Sequence, residues 1–185
     1  MTLARDGVLA VLEARVTNEH LRRHMLACEA IMRALGLRLG EDAEQWALAG
    51  LAHDLDSEET EHDFTRHGAE AAATLERLGA TAEVVHAVAA HNPATGVAGE
   101  SRMDVALVVA DQLSGLVTAA ALIRPDKQLS GVQLKSVRKR YREGAFARGV
   151  DRASIARCAE LGLELDETLA LGLEAMQAIA SDLGL

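Results

Sequence analysis

Aromatic residues are scarce in this sequence. One Trp, one Tyr and two Phe amount to 2% of 185 residues, whereas hydrophobic residues in total reach 49%. Ala, Leu and Val must therefore fill most of the interior, and this mixture favours helices over strands. The chain is long enough to bury a sizeable core as one domain, residues 1–185.

Several kinds of special segment are also absent. The longest apolar runs are interrupted by Asp, Gln or Gly well short of a membrane span, and residues 1–7 lack the apolar stretch of a signal peptide. Cys28 and Cys158 are the only cysteines, which indicates reduced thiols rather than a disulfide framework. The formal charge of −9 argues against a general nucleic-acid binder. We therefore expect a cytoplasmic protein without membrane or nucleic-acid partners, in an oligomeric state that the sequence leaves open.

The apolar residues recur with the period of a helix in almost every segment. The clearest case begins after a cap at Thr17 or Asn18, carries an apolar stripe from Leu21 to Leu35 and is predicted to end at Gly36. Further helices are predicted over about residues 42–54, 65–79, 84–91, 103–123 and 133–142, and two more begin near residues 151 and 166. No segment alternates as a strand does. We predict an all-α fold.

The most informative pair of residues is His53-Asp54. It closes an apolar run that begins at Trp46. A carboxylate beside an imidazole at the end of a buried segment costs free energy unless something pairs with it. A divalent metal ion is a suitable partner, because neutral imidazole and carboxylate are common metal ligands. The pattern predicts a metal site.

Four further donors lie where a predicted helix directs them inward. His24 shares the apolar stripe of its helix, His67 is placed at the start of a helix, and His91 extends an apolar stripe to a helix end. Asp111 is the only acidic residue between residues 105 and 122. Convergence of these donors with the His-Asp pair would explain all six together.

Each of these residues taken alone also has an ordinary structural explanation. A histidine on an apolar stripe is commonly a hydrogen-bonded core residue, and Asp111 can pair with Arg102 or Arg124. For the six residues taken together, convergence on a metal is the better explanation, because so many unrelated buried polar side chains are rare in one small domain. The remaining histidines are expected to be exposed: His20, His62 and His86.

The order of the six residues resembles the HD superfamily of metal-dependent phosphohydrolases. The similarity covers about residues 19–122, as an HD metal-binding core followed by a C-terminal helical extension over residues 123–185. The whole chain is similar to a small group of predicted HD-superfamily hydrolases. Two departures are visible: Leu55-Asp56 stands where many HD proteins have Ile-Gly, and Asn92 follows His91 where one branch has a second His. The second departure, with the absence of a Gly-Tyr-Pro signature, argues against the cyclic-dinucleotide phosphodiesterase branch.

The resemblance also implies which of these residues bind each of two metal ions. One metal would be held by His24, His53, Asp54 and Asp111, and a second by His67 and His91 with Asp54 as the bridge. Such a ligand set favours Fe, Mn, Co or Zn, as one ion or two. The implied reaction is hydrolysis of a phosphate ester or anhydride, of a nucleotide or another small phosphorylated metabolite, by metal-activated water. His53 and Asp54 are the expected catalytic pair.

A basic segment follows the predicted core. Residues 127–148 hold seven basic residues and one acidic residue. On a helix, four of the basic residues share one face and are candidates to bind a substrate phosphate: Lys135, Arg138, Lys139 and Arg142. The alternative is a solvated helix face that pairs with the acidic remainder of the chain.

Two other functions stay open at this point. The resemblance extends to mixed-valent di-iron oxygenases, which use the same six ligands. A non-catalytic HD module that senses a nucleotide is the third possibility. Dioxygen-dependent turnover would identify the oxygenase, and binding without turnover would identify the sensor.

Overall fold

A computed structural model describes residues 3–185, so Met1 and Thr2 of the predicted domain lie outside the described residues. Within this part of the chain there are helices, turns and loops and no strand, which confirms the predicted all-α fold. The α-helices are α1 (Arg5–Arg15), α2 (Glu19–Leu39), α3 (Ala43–Ala52), α4 (Ala69–Arg77), α5 (Ala82–Ala90), α6 (Arg102–Leu122), α7 (Leu134–Arg142), α8 (Arg152–Ala156), α9 (Leu165–Ala178) and α10 (Ala180–Leu183). Short 3₁₀ helices lie at Pro93–Thr95, Leu129–Gly131 and Arg157–Leu161.

Side-chain caps start the helices that carry the site. The Asn18 side chain accepts hydrogen bonds from the first amides of α2, and Asp42 does the same for α3. Thr81 caps α5, and Ser101 with Asp104 forms a reciprocal capping box at the start of α6. These caps fix where each helix begins and therefore which of its residues face the centre.

Helix α6 forms the middle of the core and packs against α2, α5, α8 and α9. By length and composition it is apolar enough to cross a membrane, so the expectation that every apolar run falls well short of a span was wrong for this helix. However, 61% of the most apolar stretch of this helix is buried by the rest of the fold, as in the core helix of a soluble protein. The predicted cytoplasmic location stays a prediction.

Helices α2 and α3 cross in close contact because of Gly50. A Cβ at this position would lie 2.6 Å from the backbone oxygen of Cys28 and 2.9 Å from the backbone nitrogen of Glu29. Only a residue without a side chain permits this approach. The crossing brings the end of α3, with His53, against the face of α2 that carries His24.

Two predicted boundaries were wrong, and one helix was not predicted. Helix α2 does not end at Gly36 but continues to a left-handed Gly40 (φ 74°), because Gly36 lies inside the helix where α3 packs against it. Helix α4 begins at Ala69 rather than near Thr65, since Gly68 has a φ of 87°. Helix α1 was not predicted, because only Val8 and Leu12 are buried within it.

Candidate metal centre

The structure brings all six predicted residues together. His24 comes from α2, His53 and Asp54 follow α3, His67 precedes α4, His91 follows α5, and Asp111 lies in α6. The Asp54 carboxylate is at the middle of the cluster. Its Oδ2 lies 3.5 Å from His24 Nε2 and 3.4 Å from His53 Nε2, and its Oδ1 lies 3.2 Å from His67 Nε2 and 3.6 Å from His91 Nε2. The two oxygens of one carboxylate therefore face two sets of imidazoles.

The candidate ligand atoms form two groups, and within each group all of them lie within 4.8 Å of one another. The His24 group consists of His24, Cys28, His53 and Asp111. The His67 group consists of Asp54, His67 and His91. The histidines and Asp111 separate as the resemblance implies, but Asp54 falls in the His67 group alone, and Cys28 is a further candidate ligand that the family pattern does not contain. Whether these residues bind metal stays a prediction.

The hydrogen bonds of the Nδ1 atoms fix the orientation of three histidines. His53 Nδ1 donates to the Gly50 carbonyl (2.8 Å), and His91 Nδ1 donates to the Val88 carbonyl (2.6 Å). His67 Nδ1 donates to Asp56 Oδ1 (2.9 Å). Each partner is an acceptor only, so each neutral ring carries its proton on Nδ1 and presents an Nε2 lone pair to the centre.

His24 is held in the same way by a hydroxyl group. The Ser114 hydroxyl donates to the Asp111 carbonyl (2.8 Å), so its oxygen is left to accept from His24 Nδ1 (2.9 Å). In their neutral forms all four imidazoles thus present Nε2 lone pairs toward the centre, and the proton that His67 holds at neutral pH must leave before that ring can bind a metal. The Nε2 atoms of His24 and His53 are 3.2 Å apart, as are those of His67 and His91. Two ligands of one transition metal lie about 3.0–3.4 Å apart, so the donor set fits a metal ion.

The surrounding residues that hold these ligands were missed from sequence. Asp56, which is fully buried, accepts from His67 Nδ1 and from the backbone amides of Gly68 and Ala71 (both 2.8 Å). Gln112 donates to Asp111 Oδ2 (2.8 Å) and leaves Oδ1 to face His24 Nε2 at 3.2 Å. Such outer partners set the tautomer and direction of metal ligands.

The pKa values follow from the same geometry. Burial opposes ionisation of Asp54, yet the surrounding imidazoles hold its pKa well below the usual range. Burial also opposes ionisation of Asp111, and hydrogen bonding with His24 leaves its pKa lowered. Burial disfavours the charged form of His67, but hydrogen bonds to Asp54 and Asp56 raise its pKa to about 9. Both carboxylates are therefore anionic at neutral pH, and the centre attracts cations.

A cavity of about 700 Å³ opens beside this cluster. Asp54, His67, His91 and Asp111 line it on the side of the cluster. Elsewhere its wall includes an exposed Phe64, the loop around Gly96 and, from the C-terminal extension, three residues: Asp151, Ser154 and Arg157. Its size suits a small-molecule substrate.

The four predicted phosphate-binding residues lie elsewhere. Of the residues that the structure describes, those lining the cavity include Arg157 but none of the four on α7. Arg138 pairs with Asp166 (2.8 Å), and Lys139 lies 3.8 Å from Glu143. Lys135 and Arg142 are exposed. Phosphate binding by this helix stays a prediction, and its contacts are those of a solvated face with acidic neighbours.

The remaining histidines are exposed as expected. His62 is the clearest case, with 92% of its side chain exposed. His86 is exposed as well, but its Nδ1 lies 3.1 Å from the buried Asp104 carboxylate, which lines the cavity. His62 is therefore the better control residue for experiments on the site.

Comparison with known proteins agrees with this geometry. The chain matches the HD domain family over residues 21–116, just over half of its length, and it belongs to that family. No significant match was found among curated proteins or among solved structures. HD domains bind divalent metals and are usually hydrolases, so family and site together indicate a metal-dependent HD hydrolase in general. The narrower resemblance to a small group of predicted hydrolases stays a prediction.

Proposed function

We propose that this protein hydrolyses a phosphate ester or anhydride of a nucleotide or another small phosphorylated metabolite, using one or two divalent transition-metal ions. The observation that carries the proposal is the fixed set of Nδ1 hydrogen bonds, which turns four Nε2 atoms toward the two oxygens of Asp54. When the four rings are neutral, these nitrogens and the oxygens of Asp54 are all hydrogen-bond acceptors, so their close approach costs free energy unless a proton or a metal cation lies between them.

In this proposal the residues form two sets of metal ligands. His24, His53 and Asp111 would hold one ion, His67 and His91 the other, and Asp54 would contact both. A bound divalent ion supplies Lewis-acid chemistry, which activates water and neutralises the charge of a phosphate. The protein contributes fixed ligand directions through Asp56 and Ser114. It also contributes a cavity that admits substrate beside Asp54.

The cavity lining supports a small phosphorylated substrate rather than a polymer. Its volume of about 700 Å³ lies within the range of small-molecule sites. Arg157 is the only Arg or Lys among the described residues that line it. Its guanidinium is paired with Glu160 (2.9 Å), so a substrate phosphate would have to share or replace this partner. Phe64, with 64% of the residue exposed, adds an aromatic surface near His67.

The proposal is tested by metal analysis of anaerobically purified protein and a phosphate-release screen over nucleotides and sugar phosphates. Asp54→Asn keeps the shape of the side chain and removes its charge, so we expect activity to fall roughly 100-fold or more and metal content to drop. His62→Ala is the control and should retain both. Circular dichroism should be unchanged in each variant.

The same experiment separates the other two functions. Turnover that requires dioxygen and releases no phosphate would identify an oxygenase. Tight nucleotide binding without turnover by the metal-loaded protein would identify a sensor. Equal loss of activity in Asp54→Asn and His62→Ala would contradict the assignment of the centre, since the effect would then come from general instability.

A further inference from the structure

Cys28 lies within the His24 group, although the family pattern gives it no role. It follows His24 by one helical turn on α2, so both side chains are on the same face. Its thiol is completely buried and does not line the cavity beside the cluster. The sulfur lies 3.8 Å from His24 Nε2, the nitrogen that faces Asp111 and Asp54.

The distances in this group fit a shared metal ion. All four candidate ligand atoms, including the sulfur, lie within 4.8 Å of one another. At a tetrahedral metal with bonds of about 2.3 Å to sulfur and 2.0–2.1 Å to nitrogen, the sulfur–nitrogen separation would be about 3.6 Å. The observed separation of 3.8 Å is close to this value. The sulfur is also 3.9 Å from His24 Nδ1, so it lies beside the ring, and the Cys28 side chain must rotate toward the Nε2 side of the ring to complete the geometry.

We propose that Cys28 is a thiolate ligand of the metal in the His24 group. The sulfur–metal bond forms as the thiol proton leaves to solvent, so no oxidant or reductant is needed. This inference rests on the proposed metal centre and adds a soft ligand to one of its two positions. The His67 group has only nitrogen and oxygen donors. The position with sulfur should therefore prefer Zn²⁺, Co²⁺ or Fe²⁺ over Mn²⁺ or Mg²⁺, and the other should discriminate less.

The test is a titration of metal-free protein with Co²⁺, followed by optical spectroscopy. A thiolate bound to Co²⁺ gives an intense charge-transfer band in the near ultraviolet, which nitrogen and oxygen ligands do not give. We expect the wild type to show this band, and Cys28→Ser to lose it while still binding Co²⁺. Cys158→Ser is the matched control, since Cys158 is the other buried free cysteine and belongs to neither group. It should keep the full band.

A second measurement needs no variant. X-ray absorption at the metal edge of the wild-type protein, loaded with one equivalent of Zn²⁺ or Co²⁺, should contain a sulfur shell near 2.3 Å. This measurement decides the question even if Cys28→Ser fails to fold. A fully loaded wild type without the band or the sulfur shell would overturn the proposal, as would a Cys28→Ser variant that retains the band.

The outcomes also distinguish this inference from the proposed function. Phosphate release by a metal-loaded protein without a sulfur signal would remove the role of Cys28 and leave the hydrolase proposal intact. A sulfur signal without phosphate release would support the role of Cys28 and contradict the hydrolase proposal. Absence of bound metal under all conditions would remove both.

Discussion

At the scale of single residues, the centre is defined by which nitrogen of each histidine ring is engaged in a hydrogen bond. The Nδ1 of His67 is held by the buried carboxylate of Asp56, so its Nε2 is the only atom that can exchange a proton for a metal. Asp54 and Asp56 together raise the pKa of His67 to about 9. The metal-free centre therefore keeps a proton at the place where a ligand bond would form.

Metal binding should consequently release protons. Below pH 9 the proton on His67 competes with the metal, so the apparent metal affinity should fall as the pH is lowered, by about tenfold per pH unit for each proton released. Calorimetric titration at pH 7 in two buffers with different ionisation enthalpies measures the number of protons released on metal binding. We expect at least one proton for the wild type and about one fewer for His67→Ala. Metal binding with no proton release would contradict the raised pKa.

The ligands themselves could be predicted from the sequence, but their partners could not. His53 and Asp54 end an apolar run, which is a local signal of burial. Asp56 stands two residues later among acidic residues that are mostly solvated, and nothing in that run distinguishes it. Asp56 is held by hydrogen bonds to the turn before α4 and to the first turn of α4, 11 to 15 residues further along the chain. Such contacts depend on the folded turn and carry no periodic signature.

At the scale of secondary structure, the centre depends on how closely α2 and α3 cross. The period of apolar residues predicted both helices, because burial on one face repeats every three to four residues. It did not predict the role of the glycines, since close approach of two backbones is a tertiary property. The pattern predicts a helix end at Gly36, whereas this glycine accommodates α3 inside the last turns of α2. Gly50 does the same from the other helix.

Gly50→Ala should therefore disturb both the fold and the centre. The added methyl group would meet the backbone of Cys28 at 2.6 Å, and a backbone atom cannot move aside as a flexible side chain can. We expect a loss of about 1–3 kcal/mol in the free energy of unfolding and weaker metal binding, because the helices that carry His24 and His53 would separate. Thermal unfolding followed by circular dichroism measures the first effect.

Gly149→Ala is the control for this substitution. No heavy atom lies within 4 Å of a Cβ at Gly149, so the free energy of unfolding should change by less than about 0.5 kcal/mol. If Gly50→Ala were as stable as Gly149→Ala and bound metal equally well, the crossing of α2 and α3 would not be the feature that positions His24 against His53.

At the scale of the whole molecule, the site combines the family core with the C-terminal extension. The HD match ends at residue 116, yet the extension supplies part of the cavity wall. The backbone amide of Asp151 donates to Gln112 Oε1 (2.8 Å), and Gln112 in turn holds Asp111. The sequence predicted helices in the extension but not this connection, which spans 39 residues. The cavity is thus a product of the complete fold.

Five separate segments contribute candidate ligands, so a bound metal should act as a cross-link for the whole molecule. Binding to the folded state alone stabilises it by about 2.7 kcal/mol when the free metal concentration is 100 times Kd. For a chain of this length we expect Tm to rise by roughly 5–10 °C. Differential scanning calorimetry of chelator-treated and metal-reloaded protein measures the change, and Asp54→Asn should show a much smaller rise. An equal Tm with and without bound metal would mean that the unfolded chain binds the ion as tightly as the folded protein does, and this result would contradict a metal centre assembled by the fold.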